Sequence, residues 1–184
     1  MGDTGTPELL LSGQLSEHRA SFTASQVAGL GKADLVFIVG HGVESKLAQI
    51  SGSEAVNGKS FVALSEAPGI ATLPIREGGA WEAHGHEGES HAGEKHAEGV
   101  LAFDPHVWLD PENAKAMAQA VAAALSKVDP ANAATYAANA MALATGIDAT
   151  AMQIASDLEP VKARPYVVFH DAYQYFEHRF GLNG

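Results

Sequence analysis

Three of the nine histidines stand where a predicted strand ends or where prolines stiffen a loop. His18 follows the apolar run 8–11, His106 lies between two prolines, and His170 directly follows the apolar run 166–169. Neutral imidazole nitrogen is a preferred Zn²⁺ ligand, and open α/β sheets bind ligands at the carboxyl ends of their strands. These residue types indicate a three-histidine metal site. Their separations of 88 and 64 residues match no local zinc motif, so three unrelated surface or core-edge histidines remain the alternative.

A second group of histidines lies in the acidic segment 77–98, which holds six glutamates, many glycines and almost no apolar residues. This composition predicts a mobile loop. His84, His86, His91 and His96 would bind borderline cations weakly and exchangeably. The stretch from His86 to His91 is not the HExxH protease signature, because its histidines are five residues apart. A solvated acidic linker is the alternative interpretation.

Aspartates accompany two of the three candidate ligands. Asp104 and Asp110 flank His106, where either could orient the imidazole as a hydrogen-bond acceptor. Asp110 is equally well placed as a helix cap ahead of Pro111. Asp171, beside His170, has the same two interpretations. His178 lies on a predicted helix and is expected at the surface.

The elements that must position these residues begin with an α/β pattern. A short helix at 25–32 precedes the clearest strand at 33–39, whose apolar, β-branched residues are typical of a parallel strand covered on both faces. A helix at 44–51 and a strand at 61–64 follow. Strands alternating with helices imply βαβ crossovers and therefore an α/β fold with a parallel sheet flanked by helices.

The second half of the chain is predicted to be mainly helical. One helix starts at Pro111 and ends near residue 127, and a second runs from 129 to about 159, long enough to bridge two lobes. A buried strand at 166–169 and a helix at 171–180, stopped by Gly181, begin another unit. The predicted organisation is an N-terminal metal-binding lobe at 1–128 that includes the loop at about 77–98, a linking helix at 129–160, and an incomplete C-terminal lobe at 161–184.

Composition excludes several classes of function. The net charge of −11 disfavours nucleic acid and anionic membrane surfaces, which require a basic footprint, and suits a cationic cargo. The absence of cysteine excludes a thiolate zinc site, a thiol nucleophile and disulfides. No apolar stretch approaches the length of a membrane span, and the first residues lack the pattern of a signal peptide.

Four segments of the chain together resemble the ZnuA-type periplasmic zinc-binding proteins, the metal-capturing components of ABC importers: GTPELLL…SEH, ADLVFIVG, FDPHVWLDPENA and VVFHDAYQYFEHRFGL. The resemblance covers nearly the whole chain, and an acidic, His-rich insertion before DPH is typical of its zinc members. It implies two α/β lobes joined by a long helix, with Zn²⁺ as the cargo held between them. The matching ligands are His18, His106 and His170, with Glu17 at a position that sometimes supplies an extra oxygen.

The same resemblance implies function, partner and location. The expected role is zinc capture in the periplasm and delivery to an ABC membrane permease, without enzymatic turnover. Family members also have a signal peptide, an earlier strand and a longer second lobe, so the chain is expected to be truncated at both ends. Missing neighbours would expose apolar surface and favour self-association.

Two other functions compete with zinc transport. Three histidines plus a water molecule also form catalytic zinc sites, so a zinc-dependent hydrolase is one alternative, with Glu17 or Asp171 as its general base. The other is a metal-buffering protein that binds zinc only through its His-rich loop. Deletion of residues 82–97 distinguishes the two. Loss of all tight zinc binding would indicate the buffer, and retention of one tight site would indicate the transport protein.

Overall fold

The computed structural model of the chain describes residues 1–10, 22–40, 60–76 and 103–184. The α-helices in these ranges are α1 (Ala24–Leu30), α2 (Pro111–Val128), α3 (Ala133–Leu158) and α4 (Gln174–Phe180). The strands are β1 (Leu35–Ile38) and β2 (Ser60–Ala63). Short 3₁₀ turns at Leu64–Glu66, Val107–Leu109 and Pro130–Asn132 connect them. The helix predicted at 44–51 lies outside the described residues.

The two strands form a parallel pair, as the α/β pattern predicts, with Leu35 opposite Ser60 and Ile38 opposite Ala63. A small core of Leu30, Val36 and Ile38 packs between this pair and α1. Burial along β1 alternates, because Val36 and Ile38 are buried while the two residues between and before them are half-buried. A cavity of about 900 Å³ borders β1. One face of this strand is thus buried and the other is half-buried.

The apolar residues near the amino terminus do not form the predicted strand. Residues 8–10 are irregular, and the Leu9 side chain is 79% exposed. Leu10 nevertheless packs against the core, and its carbonyl oxygen accepts a hydrogen bond of 2.6 Å from Gln26 Nε2. The contacts that hold this segment come from α1 and the core. No described strand pairs with its backbone. Apolar content alone was insufficient to indicate a strand here.

The helix start at Asp110–Pro111 agrees with the prediction. Asp110 Oδ1 accepts a hydrogen bond of 2.9 Å from the Glu112 backbone nitrogen, and Pro111 occupies the first helical position, where no amide hydrogen is needed. Of the second predicted helix, residues Pro130–Asn132 form a 3₁₀ turn, and α3 begins at Ala133. At 1.5 Å per residue its 26 residues span roughly 39 Å. The helices α2 and α3 pack against each other.

A tyrosine at the α2–α3 junction anchors the second helix. The buried Tyr136 hydroxyl donates a hydrogen bond of 2.7 Å to Asp129 Oδ2, and Asn132 Nδ2 donates to the same oxygen. The hydrogen bond from Asn132 lowers the pKa of Asp129 most, and the hydrogen bond from Tyr136 lowers it further.

Among the described residues, no helix combines the length and the apolarity that crossing a membrane requires.

The predicted strand at 166–169 is absent, which corrects the sequence-based assignment. Val167 and Phe169 are fully exposed, and no described strand lies beside them to accept their backbone hydrogen bonds. The last helix begins at Gln174, three residues later than predicted. It ends as predicted at Gly181, whose φ of 66° is in the left-handed region that glycine enters without steric cost.

Candidate metal site

His106 lies in a buried segment between β2 and α2, where one carboxylate fixes its imidazole. The Asp104 Oδ1 atom is 2.7 Å from His106 Nδ1 and accepts a second hydrogen bond of 2.9 Å from the His106 backbone nitrogen. Both side chains are almost fully buried. A carboxylate only accepts, so Nδ1 is the donor, and in a neutral imidazole Nε2 then holds the lone pair that a metal ion needs.

His170 lies against His106 although 64 residues separate them in sequence. Their ring centroids are 5.3 Å apart, and the ring planes meet at 78°. Two imidazoles on one tetrahedral Zn²⁺, with Zn–N distances of about 2.0–2.1 Å, would place their centroids roughly 5 Å apart. The Trp108 ring packs edge-on against His106, with centroids 5.4 Å apart, and limits rotation of the imidazole. The pair therefore has the spacing that shared coordination requires.

The backbone around His106 is held by Asn113, a fully buried residue in the first turn of α2. Its Oδ1 accepts a hydrogen bond of 2.8 Å from the Ala71 nitrogen. Its Nδ2 donates to the carbonyl oxygens of Ala71 and Val107, at 2.8 and 3.0 Å. One amide thus joins the loop after β2 to the 3₁₀ turn that directly follows His106.

We predict that Asn113→Ala destabilises the fold strongly. The substitution leaves the buried Val107 carbonyl oxygen and the partly buried backbone groups of Ala71 without the Asn113 amide. An unsatisfied group costs roughly 1–3 kcal/mol when it is buried and less when water can reach it. A loss of about 3 kcal/mol in the free energy of unfolding, measured by urea denaturation, is expected. The same substitution at the exposed Asn139 on α3 is the control and should change stability by less than about 0.5 kcal/mol. Equal effects of the two substitutions would contradict this role.

Tyr175 on α4 joins three segments near the histidines. It is 1% exposed, and its hydroxyl donates a hydrogen bond of 2.8 Å to the Asp104 carbonyl oxygen. The same hydroxyl accepts a hydrogen bond of 2.9 Å from the Leu73 nitrogen. Burial raises the pKa of Tyr175 to about 12, so the hydroxyl remains a donor throughout the neutral range. The helix that follows His170 is thereby fixed to the segment that holds His106.

Two arginines complete this contact through ion pairs. Arg179 on α4 holds Asp110 with both a 2.9 Å contact from Nε and a 2.7 Å contact from Nη2. Arg76 pairs with Asp171 and, at 2.7 Å, with Glu177. The three aspartates therefore have different roles. Asp104 contacts the imidazole of His106, Asp110 caps a helix, and Asp171 contacts an arginine.

The structure brings together two of the three predicted metal-binding histidines. His18 and Glu17 lie outside the described residues, as do the loop histidines His84, His86, His91 and His96. Within the described ranges, no three or more acidic, histidine or cysteine side chains are grouped as a metal site. His178 is exposed, as predicted.

Sequence reasoning missed the polar residues that hold the pair in place. None of Tyr175, Arg76 and Asn113 was predicted to hold the histidines. A signal for Arg76 was present, because it is the only cationic side chain between Lys59 and Lys95 in a strongly acidic chain. No pattern within the sequence identified Asn113, whose partners lie 42 and 6 residues away.

Comparison with known proteins places this arrangement in a family. All 184 residues match the family model described as "ZnuA: Zinc-uptake complex component A periplasmic". The chain is 38% identical over 202 aligned residues to the high-affinity zinc uptake system protein ZnuA of Brucella abortus, covering 99% of this chain and 60% of that protein. The chain thus spans about 60% of the length of this curated relative.

Solved structures show the same α/β fold. A crystal structure of ZnuA superposes with a TM-score of 0.77 at 24% identity, covering 99% of this chain and 61% of that one. A Zn(II)-bound mutant variant of AdcAII from Streptococcus pneumoniae gives a TM-score of 0.70 at 26% identity, covering 91% and 56%. With the family model matched from the first residue to the last, the chain belongs to the ZnuA family of periplasmic zinc-uptake components.

Proposed function

We propose that this chain captures Zn²⁺ with high affinity and that the captured ion is delivered to the membrane permease of an ABC importer. The observation that carries the proposal is that the buried His106 and the half-buried His170 lie side by side, with Asp104 directing the Nε2 atom of His106 away from its own carboxylate. Imidazole nitrogens at this spacing suit a borderline cation better than the harder Mg²⁺ or Ca²⁺. Family membership supports zinc as the cargo.

The remaining ligands are part of the proposal. We assign His18 as the third imidazole and Glu17 as an additional oxygen donor, on the family resemblance. The weaker loop sites at His84, His86, His91 and His96 would collect zinc near the tight site. Support for that proximity comes from the two described flanks of the loop, since the Asp104 nitrogen donates a hydrogen bond of 2.8 Å to the Leu73 carbonyl oxygen.

The wider assignment follows from the family. We place the protein in the periplasm, as a binding protein rather than an enzyme, with zinc released unchanged to its permease. The lobes would meet at the histidine pair, with residues 1–128 in one, 161–184 in the other and 129–160 linking them. Self-association of this chain is a further proposal, supported by the full exposure of Val167 and Phe169.

Deletion of residues 82–97 tests the proposed function. Zinc titration by calorimetry, with a chelator competing for the tight site, should show one tight site and several weaker ones in the intact chain. We expect the deletion to remove the weaker sites and to leave the tight one. The tight site should survive because the Leu73–Asp104 hydrogen bond and the Asn113 contacts lie outside the deleted stretch.

The control is a deletion variant that also carries His106→Ala, which should have no tight site. Loss of all tight binding on deletion of the loop alone would instead identify a loop-only zinc buffer. Intact tight binding in the combined variant would refute the proposed ligand set.

A further inference from the structure

The segment that presents His170 has little apolar packing to hold it. Val167 and Phe169 are fully exposed, and residues 166–169 are not part of a sheet in the described structure. A half-buried histidine at the end of such a segment needs other contacts to remain 5.3 Å from His106. Those contacts are polar, and they converge on one guanidinium.

Arg76 bridges two carboxylates on either side of the turn after His170. Its Nη2 contacts Asp171 Oδ1, and its Nη1 is 2.7 Å from Glu177 Oε2. Glu177 Oε1 in turn accepts a hydrogen bond of 2.6 Å from the Tyr166 hydroxyl. Asp171, the residue directly after His170, therefore contacts the Arg76 guanidinium itself. Tyr166, four residues before His170, is linked to the same guanidinium through Glu177. The planar guanidinium is suited to this bridge, since its donors have a fixed geometry.

The other end of this link is the segment that holds His106. Arg76 follows Leu73 by three residues, and the Leu73 carbonyl oxygen accepts a hydrogen bond from the Asp104 nitrogen. Asp104 is the residue that orients the His106 ring. The Arg76 side chain is 19% exposed, and both of its carboxylate partners are 8% or less, so water screens the ion pairs weakly.

We propose that Arg76 is a positioning residue for the zinc site: its two ion pairs hold His170 beside His106 before the metal arrives. This inference rests on the proposed zinc-binding function. It deepens that function by naming a residue that touches no metal and yet sets the geometry of two ligands. Arg76 carries a positive charge, so it would weaken cation binding if charge were its only effect. A purely electrostatic role predicts that loss of Arg76 raises the zinc affinity, whereas the positioning role predicts that it lowers the zinc affinity.

The test uses the whole 184-residue chain, first without metal. A nuclear Overhauser cross-peak between the ring protons of His106 and His170 reports their proximity. The cross-peak between His106 and Trp108, whose centroids are 5.4 Å apart, is the internal reference. In Arg76→Lys we expect the first cross-peak to weaken and the second to persist, because an ammonium keeps the charge but cannot bridge both carboxylates in the same geometry.

Zinc binding is the second readout. We expect Arg76→Lys to lower zinc affinity by about 10–100-fold, the range for residues that orient metal ligands, mainly through faster dissociation into excess chelator. A triple variant with Arg76→Met, Asp171→Asn and Glu177→Gln avoids two buried, uncompensated carboxylates and keeps the test valid if a single neutral substitution unfolds the chain. It should show the same losses.

Arg179→Met is the matched control, because it removes the other ion pair between α4 and the His106 segment without touching the residues next to His170. It should lower stability and retain both cross-peaks. If folded Arg76→Lys and the triple variant keep the His106–His170 cross-peak and the zinc affinity of the wild type, the positioning role is refuted. Absence of tight zinc binding in the wild type would refute the proposed function instead, and the metal-free cross-peaks would still report on Arg76.

Discussion

The His106→Ala variant is expected to bind zinc about a hundredfold more weakly than the wild type. Four-ligand zinc sites bind with about 10–16 kcal/mol, so one ligand is worth roughly 3 kcal/mol, or about two orders of magnitude in affinity. We expect no larger loss of zinc affinity from any other single substitution among the described residues. His106 should be this sensitive because it is 1% exposed and oriented by its neighbours, so neither water nor a mobile side chain can readily replace it.

Competition with a chelator of known affinity measures this loss. His178→Ala is the matched control, since it removes an exposed histidine from α4 and should leave the affinity unchanged. His106→Gln, which retains a polar side chain of similar size, separates loss of a ligand from loss of packing. Circular dichroism should show both His106 variants folded. Unchanged tight binding in His106→Ala would exclude this residue as a ligand.

Asp104→Asn is also expected to lower zinc affinity, by about 10–100-fold. The carboxylate accepts hydrogen bonds from both the backbone nitrogen and Nδ1 of His106, at 2.9 and 2.7 Å. An amide accepts a weaker hydrogen bond and offers a competing donor, so the imidazole loses both its preferred tautomer and part of its basicity. Zinc, which we propose binds the Nε2 lone pair, would then meet a less basic and less well oriented imidazole.

The control for Asp104→Asn is the same substitution at Asp110, four residues beyond His106. Asp110 is also buried, but its carboxylate caps α2 and pairs with Arg179 rather than contacting the imidazole. Asp110→Asn should therefore lower the thermal stability while leaving the zinc affinity near that of the wild type. Equal affinity losses in the two variants would show that Asp104 acts through general stability instead of through His106.

The helix limits show how far local sequence patterns predict structure. Asp110–Pro111 starts α2 and Gly181 ends α4, both as predicted, because a cap depends on backbone groups within about three residues. The apolar runs at 8–11 and 166–169 were assigned as strands, yet their described residues are irregular. A strand requires a partner for its backbone, and the sequence of one segment does not reveal whether that partner is present.

The carboxylates around the histidines show the same division. In the sequence, Asp104, Asp110 and Asp171 were each close to a histidine and able to orient it. In the structure they have three different partners: the His106 ring, the α2 amide with Arg179, and Arg76. The partners of Asp110 and Asp171 include arginines 69 and 95 residues away. Short-range spacing could not distinguish the three roles.

By itself, the sequence determined that this chain offers imidazole donors in an acidic, cysteine-free α/β protein, and its motifs indicated the zinc-uptake family. The tertiary structure decided that His106 and His170 lie 5.3 Å apart and that Asp104 selects the tautomer of His106. It also placed Arg76 beside the carboxylates of Asp171 and Glu177, which both follow His170. Residue types set which contacts are chemically available, whereas the path of the backbone brings distant side chains within the few ångströms at which hydrogen bonds and ion pairs form.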